Sequence, residues 1–290
     1  MQATESADLL NRFLSQSSAI DVGDISIVFM KYLVGRNVLQ AIPVAKYKDW
    51  DKVIPLFSKG IQPNGSEAST QGVAPYTVLY ATGPDGQKFA NGPTEWLTGI
   101  PTITITNADT LGVRSDLVGR PIKSWADLIS PEFKGKAALQ DQPTVGVIDV
   151  ALALEARGDV KYGNKGNMTR DEIDKAITVM MDVKKAGQFR SFWSTFDQAV
   201  NLMASGEVVI QSMWSPAVTA VKTRGVPCVY QPLQEGFRGW GYTLAPMKHL
   251  SGLKLDCFYE YMNWYTSGFQ ERSSPGRAAT RRSPTTPKTS

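Results

Sequence analysis

Ser205–Met247 reads SGEVVIQSMWSPAVTAVKTRGVPCVYQPLQEGFRGWGYTLAPM. Val208, Val209 and Ile210 form a short apolar run, so Glu207–Met213 is expected to be a strand. Trp214 falls at its carboxyl end. Ser215-Pro216 then has the order of an N-cap followed by proline at the first helical position. A short helix is expected over Ala217–Thr223, with Gly225 at its C′ position. Val226–Tyr230 and Gly239–Pro246 are two further strands, the second carrying Trp240 and Tyr242 on one face. Strand, helix, strand in this order describes an open α/β sheet, and such sheets bind ligands beyond the carboxyl ends of their strands. Trp214 therefore stands either in a cleft beside a helix N-terminus or as a tryptophan of the core.

The remaining sequence sets the bounds. The chain has 290 residues, of which 42% are hydrophobic, enough for one large domain or two smaller ones. Its net charge of +4 has a local origin. Residues 271–290 carry Arg272, Arg277, Arg281, Arg282 and Lys288 against Glu271 alone, leaving 26 basic and 26 acidic residues in 1–270. A neutral body of this kind lacks the clustered charge of a nucleic-acid binder, and 271–290 is expected to be a disordered basic tail. No apolar run reaches the roughly 18 residues of a membrane-spanning helix. Met1–Leu10 is polar and has no hydrophobic region of the signal-peptide kind. Cys228 and Cys257 are too few for a multi-cysteine metal site, and their spacing leaves both a disulfide and two separate thiols open.

Along the chain, helices are expected at Glu5–Leu14, Leu33–Val38, Val147–Arg157, Ala199–Met203 and Leu253–Thr266, the last with Leu253, Cys257, Tyr261, Trp264 and Tyr265 near one face. Strands are expected at Asp24–Phe29, Tyr76–Ala81, Pro101–Thr106, Leu111–Val113 and Lys136–Leu139. Thr169-Arg-Asp-Glu172 is a capping box, and the helix it opens is expected to bury Ile173, Ala176, Ile177, Met180 and Met181. Gln188–Gln198 (QFRSFWSTFDQ) reads as an irregular aromatic loop of the kind that lines clefts. Catalytic signatures are missing: His249 is the only histidine, and no nucleophile elbow, zinc-protease or dinucleotide-glycine motif occurs.

Three strings carry a resemblance. Gly206-Glu207-Val208 is followed by Trp214 and by a tryptophan-containing strand ending Leu244-Ala245-Pro246. Ser124-Trp125-Ala126-Asp127-Leu128 precedes Pro131-Glu132-Phe133-Lys134-Gly135-Lys136. Ile100-Pro101 precedes Leu111-Gly112-Val113. In this order and spacing, over residues 20 to 268, the chain resembles the solute-binding proteins of ABC importers, and among them the spermidine/putrescine-binding group. The resemblance implies a two-lobed type II periplasmic-binding-protein fold of α/β class with discontinuous lobes: 1–109 plus 242–270, and 110–241. It implies a periplasmic, monomeric binding protein, not an enzyme, without cofactor or metal, whose partners are a small-molecule ligand and a membrane permease. It also implies an earlier strand, helix and strand ahead of Asp24 and more helix after Phe269. The expectation is thus a first lobe incomplete at its N-terminus, in a truncated and frame-shifted copy.

For the site, the resemblance implies an aromatic wall of Trp214 and Trp240, and placement at strand ends and in the aromatic segment adds Trp193 and Tyr242 to the expected cleft lining. The acids that hold ammonium groups in the polyamine binders correspond here to Gln142, Val145 and Tyr242, so the diamine charge pattern is lost. Arg190 and Asp197, at either end of the aromatic segment, would suit a zwitterion such as an amino acid or an ω-amino acid. Both are equally readable as surface charges. A sugar, stacked on tryptophan and bonded by Gln142 and Asp141, is the alternative ligand, and an enzyme on a similar scaffold the alternative class.

Overall fold

The computed structural model describes residues 6–69 and 71–267. In chain order the elements are α1 (Ser6–Ser15), β1 (Val22–Ser26), α2 (Met30–Gly35), β2 (Ile42–Pro43), α3 (Pro55–Ser58), β3 (Trp96–Leu97), β4 (Ile100–Val113), β5 (Ala137–Gln140), α4 (Pro143–Arg157), α5 (Arg170–Lys185), β6 (Phe189–Trp193), α6 (Phe196–Ala204), β7 (Ile210–Met213), α7 (Ser215–Thr223), β8 (Val229–Tyr230), β9 (Arg238–Pro246) and α8 (Gly252–Thr266). The chain divides into two compact units. The first runs to Thr106 and resumes at Trp240; the second is Asn107–Gly239. Residues 271–290, expected as a basic tail, lie outside the described residues.

In the first unit β1 pairs antiparallel with β9, from Val22 opposite Pro246 to Ser26 opposite Tyr242. The strand expected over Asp24–Phe29 starts earlier and ends at Ser26. From Ile27 the alternation gives way to a helical period: Ile27, Met30, Leu33 and Val34 are all buried in one cluster with Phe13 and Met247. The helix is therefore Met30–Gly35, ahead of the expected Leu33–Val38. Tyr76–Ala81 is not a strand. Pro75 opens a 3-10 turn over Pro75–Val78, where its fixed φ and missing N–H are tolerated, and only Tyr80 and Ala81 form isolated bridges. α8 has the expected position but a different buried face. Phe258, Met262 and Tyr265 recur at helical spacing and are buried, whereas Leu253 and Trp264 are exposed.

Within the second unit the strands run in the order β8, β4, β7, β5, β6, as part of a seven-stranded sheet. β5 is parallel to both β6 and β7, and β7 is antiparallel to the end of β4. All four residues of β5 are buried, as expected of a strand covered on both faces. Leu139 belongs to the core shared with Trp125, Leu128 and Leu154, while Ala138 belongs to that of Trp193, Met203 and Val218 on the opposite face. Gly146 matters here: a Cβ on it would lie 2.7 Å from the Gln140 carbonyl oxygen, so only glycine lets the first turn of α4 lie this close to the end of β5.

Local signals hold at several points. Ser124 and Asp127 form a capping box over the 3-10 turn Trp125–Ile129, and the buried Trp125 ring donates from Nε1 to the Gly236 carbonyl at 3.0 Å. The capping box at Thr169 is present: its hydroxyl accepts from Glu172 N at 3.3 Å, and Glu172 Oε2 accepts from Thr169 N at 2.7 Å. Thr169→Ala is expected to cost about 1 kcal/mol, read as a lower urea midpoint with an unchanged slope. The stripe of the same helix is only partly buried. Ala176 is inside, but Ile177 and Met181 are 39% and 42% exposed. α5 packs over α4 as an outer layer, and a helix in that position covers its partner with less than the full apolar stripe.

Candidate functional site

The segment Gln188–Gln198 is not a loop. Phe189–Trp193 is the edge strand β6, paired with β5, and Phe196–Ala204 is a helix. Thr195 caps that helix by accepting from Gln198 N, and the Gln198 side chain returns to accept from Ser194 N at 2.9 Å and Thr195 N at 3.2 Å. The Thr-x-x-Gln spacing is a capping-box signal that the surrounding aromatic residues obscure. With β5, β6 and β7 parallel, their carboxyl ends lie at one end of the sheet. Gln140, Trp193 and Met213 terminate them, and each strand is followed closely by a helix: α4, α6 and α7.

Two of those helices begin without a side-chain cap. The N-cap of α4 is Gln142 and that of α7 is Trp214, and neither side chain accepts from a backbone N–H of its helix; Gln142 Nε2 donates to the Thr144 hydroxyl at 3.4 Å. Ser215 is thus the first residue of α7 rather than its cap, and Pro216 follows inside the first turn. Pro143 begins α4. Gln142 instead accepts from Gln140 Nε2 at 3.1 Å. Pro143 and Pro216 bring no N–H, and Val145 N and Ala217 N donate to the Gln142 and Trp214 carbonyls, so these first turns offer an acceptor group chiefly the positive end of the helix dipole.

Trp214 forms the shelf at this end of the sheet. It is half-buried, its ring lies edge-on to Trp193 at 4.9 Å, and Phe196 stacks against it at 6.5 Å and 13°. Trp193 is fully buried. It therefore supports Trp214 from beneath, because its ring fills the core between β6, α6 and α7. Asp197 is exposed in the first turn of α6. Arg190 is separated from this group. It lies three residues before Trp193 on β6, and its guanidinium pairs with Glu207 at 2.8 Å. Ser191, Phe192, Gln198, Asn201, Leu202 and Ser205 line a pocket beside that pair. The expected placement of Arg190 and Asp197 at opposite ends of one aromatic loop does not occur, since a strand and a helix replace the loop.

In the first unit Trp240 and Tyr242, two residues apart on β9, meet edge to face at 5.7 Å. Tyr242 also lines a small apolar cavity with Ile27, Met30, Phe57, Val78 and Leu79. His249 is exposed, with Nε2 3.3 Å from Asp21 Oδ1. Asp21, beside Lys254 and His249, is held below the usual carboxylate range by their hydrogen bonds. Cys228 is buried, which pushes its thiol up to about 11, and Cys257 is exposed; both are free. Among the described residues no cluster of His, Cys, Asp and Glu could hold a metal ion.

Residues 1–271 match the family of bacterial extracellular solute-binding proteins. The chain belongs to this family. The spermidine/putrescine-binding periplasmic protein of Escherichia coli is 30% identical over 144 residues, which is 49% of this solute-binding chain and 38% of that relative. The match thus spans well under half of the relative's length. Among solved structures, a GABA receptor shares the fold with TM-score 0.65 at 19% identity, covering 97% of this chain and 72% of the other. A PotD lipoprotein of Treponema pallidum does so with TM-score 0.65 at 13% identity, covering 91% and 70%. The fold is the two-lobed type II periplasmic-binding-protein fold, as the sequence strings implied. Family and fold are those of substrate-binding proteins, not of enzymes.

Proposed function

We propose that this chain is the extracytoplasmic solute-binding component of an ABC importer, that it closes its lobes over a small amine-bearing, zwitterionic solute, and that it delivers the solute to a membrane permease. The observation carrying the choice of ligand is the pair of uncapped helix starts at Gln142 and Trp214, at the carboxyl ends of parallel strands β5 and β7. A carboxylate is the group such N-termini favour. The Trp214 face suits the aliphatic stem or the ammonium of the same molecule, and Asp197 in the first turn of α6 and Asp141 directly after β5 are acids at this end of the sheet. Arg190 has no part in this reading, because Glu207 already neutralises it.

Polyamines fit poorly. By the resemblance, Gln142, Val145 and Tyr242 replace their acids, and each lost charge-assisted hydrogen bond forfeits about 1.5–3 kcal/mol. The expected result of a thermal-shift panel is a rise in melting temperature with amino acids or 4-aminobutyrate, little response to putrescine, spermidine or hexoses, and no response in Trp214→Ala. A solute at about 100 times its Kd stabilises by about 2.7 kcal/mol, well within detection. Tight binding of putrescine, or a response confined to hexoses, would overturn the ligand class.

A further inference from the structure

Three side chains distant in sequence meet inside the second unit. Arg238 Nε donates to Asp149 Oδ1 at 2.6 Å, and its Nη2 donates to Asp109 Oδ2 at 3.0 Å. The side chains are 9%, 0% and 1% exposed respectively, in the order Arg238, Asp149, Asp109. Their positions in the chain are informative. The chain passes between the units twice, after Thr106 and after Gly239. Asp109 lies just inside the second unit on the outgoing passage, and Arg238 just inside it on the return. Asp149 is on α4, which is fixed to the sheet at Gly146. The neighbours of Asp109 are held as well: Tyr230 Oη donates to the Ala108 carbonyl at 2.6 Å, and Thr110 Oγ1 donates to the Gln231 carbonyl at 2.7 Å. Gly239, next to Arg238, is exposed and has open space where a Cβ would stand.

We propose that Arg238 is a positioning residue for the hinge: its forked guanidinium ties both inter-unit connections to α4 at their roots. The second unit then moves as one body up to Asp109 and Arg238, and the backbone change of closure falls on the few residues beyond them, Gly239 included. Hinges of this type are a few terminal residues of packed elements that absorb the φ/ψ change. A guanidinium is required because only a planar fork reaches two carboxylates at once; an ammonium is a point charge on a flexible stem. This inference rests on the lobe-closure reading above.

The test is amide hydrogen exchange on the full chain without solute, comparing wild type with Arg238→Lys. The lysine keeps the positive charge and so avoids leaving two acids without a cation. Exchange over residues 108–113 and 238–239 is expected to quicken at least tenfold, while α5 and α8 exchange as before. A second variant, Arg238→Met with Asp109→Asn and Asp149→Asn, carries no charge at these three positions and should show the same local pattern. Gly239→Ala should leave exchange at 108–113 unchanged and alter the solute response to 4-aminobutyrate. Unchanged exchange at both roots, or acceleration spread evenly over the second unit, would overturn the hinge role. Failure of the wild type to respond to any solute in the panel would instead count against the transport reading, and the exchange result would still stand by itself.

Discussion

Trp193→Ala is expected to destabilise the protein by about 3–5 kcal/mol, the range for removing a large aromatic side chain from a packed core. The indole is fully buried between β6, α6 and α7, among Ala138, Val200, Met203 and Met213. Its removal leaves a cavity bounded by short, well-anchored elements that cannot readily collapse, and it withdraws the edge-to-face contact beneath Trp214. The Nε1 group has no hydrogen-bond partner, so Trp193→Phe sheds an unsatisfied donor along with some volume and is expected to cost far less than alanine. Trp214→Ala, at a half-buried site, should shift the urea midpoint only modestly while removing the solute response. The comparison separates two roles the sequence left joined. Trp193 was expected as part of the ligand wall, and a wild-type-like midpoint in Trp193→Ala together with a lost solute response would restore that role.

What was legible in the sequence was local. The capping box at Thr169, the helix after Trp214 and the strand leading to it each depend on residues within a few positions of one another. The same kind of signal at Thr195–Gln198 is masked by Phe192, Trp193 and Phe196, whose aromatic character suggests a cleft loop while the Thr-x-x-Gln spacing specifies a helix start. The buried face of α8 is illegible in the sequence for a different reason. Tyr261, Trp264 and Tyr265 are all large and apolar enough to be buried, and only tertiary contact with the rest of the first unit selects Phe258, Met262 and Tyr265. The Arg238 group had no sequence signal at all. Its partners lie 89 and 129 positions away, and each residue alone looks like a surface charge. A buried ionic network becomes visible only when the chain is folded, since its members are chosen by position in space and not by any period.

That network also predicts an unusual pH response. Asp149 is fully enclosed, and burial pushes its carboxyl above the usual carboxylate range against the opposing influence of Arg238 and nearby Ser212. Its Oδ2 has no well-formed hydrogen bond, and Arg238 is shared with Asp109, so one cation faces two acids. Removing a carboxylate from water without full compensation disfavours its charged form. The sign follows from linkage. A carboxyl whose folded pKa lies above its unfolded value holds its proton more tightly in the native state. Its contribution to stability is fully present below the unfolded pKa of about 3.9 and is lost as pH rises through the folded pKa. Over the interval between the two, stability falls by up to about 1.4 kcal/mol per pH unit. Asp149→Asn keeps an oxygen for Arg238 Nε and leaves Asp109 as counter-charge, but it cannot ionise. Relative to wild type, this variant is therefore expected to gain stability steadily from pH 4 upward and to level off once wild-type Asp149 has lost its proton. Urea unfolding of both proteins at half-unit steps from pH 4 to pH 8 reads the difference directly. A difference that stays flat across this range, or that favours wild type increasingly as pH rises, would show that Arg238 outweighs desolvation and holds Asp149 as a stable carboxylate.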